Sequence, residues 1–339
     1  FNSIDTTNWF QRNAATTVTL RGVTSVGNGF IACGDSGTVI TVGVYGAVAL
    51  IVKMDDIGLH MAGGRLTANE LLGVAGKMNV ERGLLGSGKI TQCDLRLTGA
   101  STKLIDSTLI IGGGELINEG TMAQQANGVF QLDSSSWLAG KITNAGIWNI
   151  EATSSFLNDE TEGQFVNKGI LELLPLAGVT TMAAIFRNDI GATLRVQTGA
   201  DFSLSRFSEF EAGSTLDLPG GFATLTAGNH LFKGNPLTGS GAVRLSGGSA
   251  YITHRVGSET GPATGGFTMS GGTLKGEFLS FPAPISGPGV GNIAVDHGSL
   301  ISGTIDDAHL RYTGYVDRST AAVFSIKKGS LTIDGGTMS

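Results

Sequence analysis

Proline is scarce in this chain, at 7 of 339 residues, and charged residues make up only 15%. A disordered linker rich in glycine would be rich in proline or charge as well, so that class is excluded. Cysteine is nearly absent. Cys33 and Cys93 lie far apart and outside any metal-ligand spacing, which rules out a zinc module or a disulfide-dense scaffold. One disulfide and two buried thiols both remain open. The net charge is −6 and no Lys/Arg cluster occurs, so no nucleic-acid partner is expected. The longest apolar run, Val39 to Val52, is broken by Gly43 and Gly46 and is too short to span a bilayer, so no membrane insertion is expected. A Gly-x-Ser-x-Gly elbow and a P-loop are also missing, since Gly239-Ser-Gly-Ala-Val is too short to cradle phosphate.

Glycine is abundant, at 53 residues, and the mean hydropathy is +0.16. Many tight corners and a long apolar core fit both values. The corners have a rhythm. Gly140-Lys-Ile-Thr-Asn144-Ala-Gly-Ile-Trp148-Asn-Ile150 is answered by Gly163-Gln-Phe-Val-Asn167-Lys-Gly-Ile-Leu171-Glu-Leu173. Ile185-Phe186-Arg-Asn188-Asp-Ile-Gly-Ala-Thr-Leu194 stretches the turn by two residues, and Glu209-Phe210-Glu-Ala212-Gly-Ser-Thr-Leu216 replaces Asn with Ala. Glu115-Leu116-Ile-Asn118-Glu-Gly-Thr-Met122 is an earlier copy.

The anchors Leu116, Ile142, Phe165, Phe186 and Phe210 recur every 21 to 26 residues. That period predicts a solenoid, because one strand–turn–strand unit cannot bury its inward face until another stacks on it. Leu116, Ile142, Phe165, Phe186, Phe210, Trp148, Leu171, Leu194 and Leu216 are the expected core. Asn118, Asn144, Asn167 and Asn188 are expected at corners, where left-handed backbone is cheap for Asn and Gly. After Leu218 a second template, apolar-x-apolar-x-x-Gly, ends in Gly248, Gly272, Gly298 and Gly329. Pro282, Pro284 and Pro288 mark an insertion expected to bulge as a loop.

The first forty residues keep a different rhythm. Trp9-Phe-Gln-Arg12, Leu20-Arg-Gly-Val23 and Phe30-Ile-Ala-Cys33-Gly-Asp35-Ser-Gly37-Thr-Val-Ile40 resemble one blade of the propellers in photosystem assembly factors and sialidase-like proteins. One blade cannot close a propeller, so residues 1–43 are expected to form an irregular β cap. Thr67 to Val74 has a faint helical pattern, curtailed by Gly73 and Gly76. Thr143-Asn-Ala-Gly-Ile-Trp148, Val166-Asn-Lys-Gly-Ile-Leu171 and Ser270-Gly-Gly-Thr-Leu274 resemble the repeats of large bacterial secreted and surface proteins, autotransporter-like or filamentous-adhesin-like. That resemblance covers about residues 110–339. It implies an extracellular or cell-surface stalk, filament or adhesin.

No catalytic set, metal or cofactor is expected. The densest ionisable group is Asp296, His297, Asp306, Asp307, His309 and Arg311. Asp306, Asp307 and His309 are the candidates closest to a glycosidase pair, although Asp306-Asp307 also reads as a solvated turn. Asp55, Asp56 and His60 do not converge on one ion if the segment is a strand. His230 and His254 are expected to be exposed coil residues. The aromatics Trp137, Trp148, Phe156, Phe165, Phe186, Phe202, Phe207, Phe210 and Phe222 are expected to stack inside. The alternative is an outward ladder for sugars.

The expected architecture is therefore an all-β, right-handed parallel β-helix (solenoid) over residues 44–339 with an irregular N-terminal β cap. Roughly a dozen coils at ~4.8 Å each make a rod on the order of 55–60 Å. The chain starts at Phe1 without a leader pattern and stops inside a repeat phrase, so a mature fragment or a stretch of a longer chain is expected. Continuation or end-to-end self-association would satisfy the open edges. A glycan or cell-surface ligand is the other expected partner. The alternative functions are a polysaccharide-active β-helix enzyme and a carbohydrate-binding or phage-tail-like fibre module.

Overall fold

Alternation of inward and outward side chains sets the local structure. Leu116 and Asn118 in Glu115–Asn118, and Trp148 and Ile150 in Ile147–Ile150, point in, while their neighbours point out. Strands of this length cannot bury a face alone, so each pairs in parallel with the third strand after it. In the computed structural model the chain is all β, a solenoid of about 10 turns rather than a dozen.

The backbone is described for strand residues 2–3, 9–10, 20–26, 29–34, 39–42, 51–54 and 59–61, and from 65 onward. Within that latter part 134–138, 159–161, 176, 235, 253–255, 258–264, 276–291, 296, 307, 314–315, 319–322, 328 and 334–339 are left out. Side chains are described from Met78 onward. Trp137, Pro282, Pro284, Pro288, His254, Asp296, Asp307, Asp55 and Asp56 lie outside the described residues.

Each turn has three walls. Ala100–Lys103, Thr121–Gln124, Ile147–Ile150, Ile170–Leu173, Thr193–Val196 and Thr215–Asp217 follow one another on the first. The second begins Thr108–Gly112, Val129–Asp133, Ser154–Asn158 and Gly178–Met182. Glu115–Asn118, Lys141–Asn144, Gln164–Asn167, Ile185–Asn188 and Ser208–Phe210 start the third. Gly83–Leu97 wraps a whole turn in one extended strand, pairing with all three walls. Arg65–Val80 is likewise extended, so the faint helical pattern at Thr67 to Val74 is overridden by pairing along the stack. Before it, Leu20–Val26, Gly29–Gly34 and Val39–Val42 form an antiparallel sheet. Parallel pairing starts at Ile51–Met54.

Two expectations about corners need correction. Asn118, Asn144, Asn167 and Asn188 are not left-handed corner residues. They close the third-wall strands with their side chains fully buried. In the short corner that follows, Gly120, Gly146 and Gly169 are chosen for close approach. A Cβ on Gly146 would stand 2.1 Å from the Gly120 carbonyl oxygen, and one on Gly169 2.1 Å from that of Gly146. Only where the turn is longer does φ become positive, at Gly191 (78°) and Gly213 (79°). Gly248, Gly272 and Gly329 are left-handed, but Gly298 opens a strand and is pressed against the Phe267 carbonyl.

The second template also divides. Val243 faces Phe267 on the second wall. Ile293 pairs with Val256 and Leu310 in a separate parallel sheet, and Phe324 faces Gly303 on the third wall. One phrase thus serves different sides of the coil, because every side needs two inward residues and a corner.

Candidate functional site

Asp306 ends the third-wall strand Gly303–Asp306 and is half-buried. His309 and Arg311 sit past the corner on Ala308–Tyr312, both exposed at alternate positions of that strand. His309 shares a hydrogen bond of 2.8 Å between Nδ1 and Ser330 Oγ, the residue below it in the stack. Asp306 and His309 therefore belong to different sheets. Among the described residues no three His, Cys, Asp or Glu side chains converge in a way that would hold a metal ion.

The repeat aromatics turn inward. Phe130, Trp148, Phe156, Phe165, Phe186, Phe202 and Phe210 are all fully buried. Phe165 stacks on Phe186 with ring centroids 6.0 Å apart, and Trp148 meets Phe165 edge-on at 5.4 Å. Phe207 and Phe222 are the outward members of the predicted list. The Arg244 guanidinium lies over the Phe222 ring at 3.1 Å, with Asp201 at 3.8 Å from its Nη1.

Phe210 does not continue the column of Phe165 and Phe186. Phe186 faces Ser208, and it is Asn188 that faces Phe210. The sequence held the signal. Leu216 faces Leu194, so the long turn is kept in both copies, and counting back from Leu216 places Phe210 at the Asn188 position.

Above that exchange the asparagines form a ladder. Each Nδ2 donates to the next Oδ1, from Asn118 to Asn144 (2.7 Å), to Asn167 (2.8 Å) and to Asn188 (2.8 Å). Each also donates to a backbone carbonyl beyond the next corner, as Asn144 does to Ile170 at 2.9 Å. Asn118 Oδ1, at the top, is left without a partner. Below, Phe210 and Phe232 stack at 4.7 Å and 3°, while Ser208 and His230 fill the former ring column. His230, expected to be exposed, is fully buried.

Lys103 was not foreseen either. It is fully buried at an inward position, facing Gln124 on the next turn. Its Nζ donates to the Ser107 carbonyl at 2.7 Å and to Ser107 Oγ at 2.5 Å, and lies 5.7 Å from the Phe130 ring centroid. Desolvation pushes its pKa down to about 8. Gln124 repeats the device, donating to the Gly128 carbonyl at 2.6 Å and accepting from Trp148 Nε1 at 2.9 Å. The Ala100-Ser-Thr-Lys103 alternation put Lys103 inward, but nothing local showed that corner carbonyls would receive it. Cys93 is a buried free thiol raised to about 12 by burial, with Asp94 adding to the shift, and so is chemically inert.

Outward charges pair along the stack. Arg187 meets Asp189 at 2.7 Å and Glu211 at 2.8 Å, and Lys233 meets Glu209 at 2.5 Å and Glu211 at 3.1 Å. On the first wall Arg195 Nε donates to Asp217 at 2.7 Å, which holds the guanidinium pKa above its usual value. This arrangement braces neighbouring coils through charge pairs on their outer faces. A family model described as "Protein of unknown function (DUF808)" matches residues 28–82, from the antiparallel strands into the first parallel turns. No curated protein and no solved structure matches the chain.

Proposed function

We propose that this chain is a secreted structural or adhesive repeat protein of bacterial type, forming a rigid extended stalk or filament segment at the cell surface. Its activity is mechanical: extension and multivalent contact, without catalysis. The observation that carries the reading is where the repeat residues are used up. The rings and amides stack inside, and the charges on the outer faces bind those of the next coil. At ~4.8 Å per coil, about 10 turns make a rod of roughly 48 Å. Partners expected on this reading are further coils or copies joined end to end, and a glycan or cell-surface ligand.

Electron micrographs of the purified chain across a concentration series test the proposal. Rods that lengthen with concentration are expected. Cleavage of any polysaccharide in a glycan panel, lost on Asp306→Ala, would instead identify an enzyme. One observation favours a carbohydrate-binding module as the second reading: Phe222 is turned outward beside Arg244 and Asp201. A monomer whose glycan affinity disappears on Phe222→Ala would establish it.

A further inference from the structure

One inward column of the third wall runs Leu116, Ile142, Phe165, Phe186, Ser208, His230, Ala250 and Leu274. His230 is its single ionisable member. The ring is fully buried, with Nδ1 2.8 Å from Ser208 Oγ and Nε2 without a hydrogen-bond partner. Ser208 precedes it in the column and Ala250 follows, and the Phe210–Phe232 stack occupies the adjacent column of the same strands.

Every charge on the strands around it is turned away. Arg187, Glu209, Glu211 and Lys233 neutralise one another on the outer face. Tyr251, on the next strand, pairs with Leu231, which alternates with His230 along its strand. The other walls of these turns send in apolar residues such as Leu194, Leu216, Phe202 and Leu225. Among the described residues a protonated ring would meet one hydroxyl and the Ala227 backbone but no carboxylate, and a buried cation without a counter-charge is costly. Burial accordingly pushes the His230 pKa down to about 4 from 6.5, with the Ala227 backbone a smaller opposing effect. Because the folded value lies below the unfolded one, the stability contributed by the neutral ring is complete above the unfolded value. It is lost as pH falls towards about 4.

We infer that Ser208 and His230 form an acid-sensitive weak point in the stack. Protonation of His230 opens the third wall across Ser208–Phe210, Asn229–Phe232 and Ser249–Ile252, while the turns from Glu115 to Asn188 stay closed. Those upper turns are held on the same wall by asparagine amides and phenylalanine rings, which do not titrate. The device gives the rod a defined site of loosening in an acidic compartment or niche, whatever it is attached to.

Amide hydrogen exchange followed by mass spectrometry, from about pH 7.5 to about pH 5, tests the inference. After correction for intrinsic chemistry, peptides spanning 208–252 should open about tenfold more per pH unit below the unfolded histidine value. Peptides spanning 115–188 should not change. His230→Phe keeps a ring at this position without a titratable nitrogen and should abolish the pH dependence, and His230→Asn should abolish it with less volume. A flat wild-type profile, acceleration shared by all turns, or pH dependence surviving in both variants would overturn it. So would an ordinary midpoint for the His230 ring by nuclear magnetic resonance, a reading that needs no variant.

Discussion

The third wall above Asn188 and the same wall below it solve one packing problem in two ways. Above, Phe165 and Phe186 fill one column and Asn167 and Asn188 the next. Below, the bulky and polar partners change places: Ser208 and His230 stand in the first column, Phe210 and Phe232 in the second. From Glu115 to Phe232 this wall takes one bulky apolar side chain and one polar side chain per turn, but does not dictate which column holds which. The junction is sealed by Phe186 meeting Phe210 edge-on at 5.7 Å. The chemistry of the two halves then differs. Each side-chain nitrogen and oxygen of the amide ladder has a partner apart from the top oxygen, whereas the Ser208–His230 pair leaves a ring nitrogen unmet.

The largest effect should come from the rings. Phe165→Ala should cost about 3–5 kcal/mol in chemical denaturation, because it removes a fully buried ring from an unbroken stack. Ser208→Ala should cost far less, and parity between the two would break the comparison. Moving the junction up one turn tests it more sharply. Phe186→Ser and Asn188→Phe should each destabilise strongly, one leaving a void and the other overpacking and cutting the ladder. Together they recreate the lower arrangement, so the double variant should recover about 0.5–3 kcal/mol relative to the sum. Strict additivity would show that the columns are independent.

A smaller effect is expected at Lys103. Below about pH 8 the folded protein carries a buried ammonium whose pKa is lowered from 10.5. Stability should therefore rise with pH between those two values. Lys103→Met should stabilise by about 1–2 kcal/mol at neutral pH, and its advantage should vanish above the unfolded value. Paired urea melts at neutral and alkaline pH check this. Arg187→Ala should cost the least, below about 1 kcal/mol, with the loss shrinking in high salt because its side chain is about half exposed.

Much of this was legible beforehand. Period, alternation and glycine corners predicted parallel coils, and the inward anchors from Leu116 to Leu216 are buried. The asparagines were recognised as a repeated feature, but their burial was not, because Asn at a turn and Asn just before one read alike. His230 looked like an isolated coil residue, since nothing in its own strand marks the column it joins. Of the catalytic candidates, Asp306 and His309 fall on different sheets, a separation that sequence proximity concealed.

What the sequence by itself determined is the face each residue presents: a period of two along short strands decides inward or outward, and the corners fix the repeat. What only the tertiary structure decided is the column. A two-residue change in turn length preserves the face but moves a side chain one place along the strand. The same apolar-x-apolar-x-x-Gly phrase also suits more than one side of the coil. Register across the stack settles the ambiguity, because only the neighbouring turn supplies the partner that a ring, an amide or a buried lysine requires.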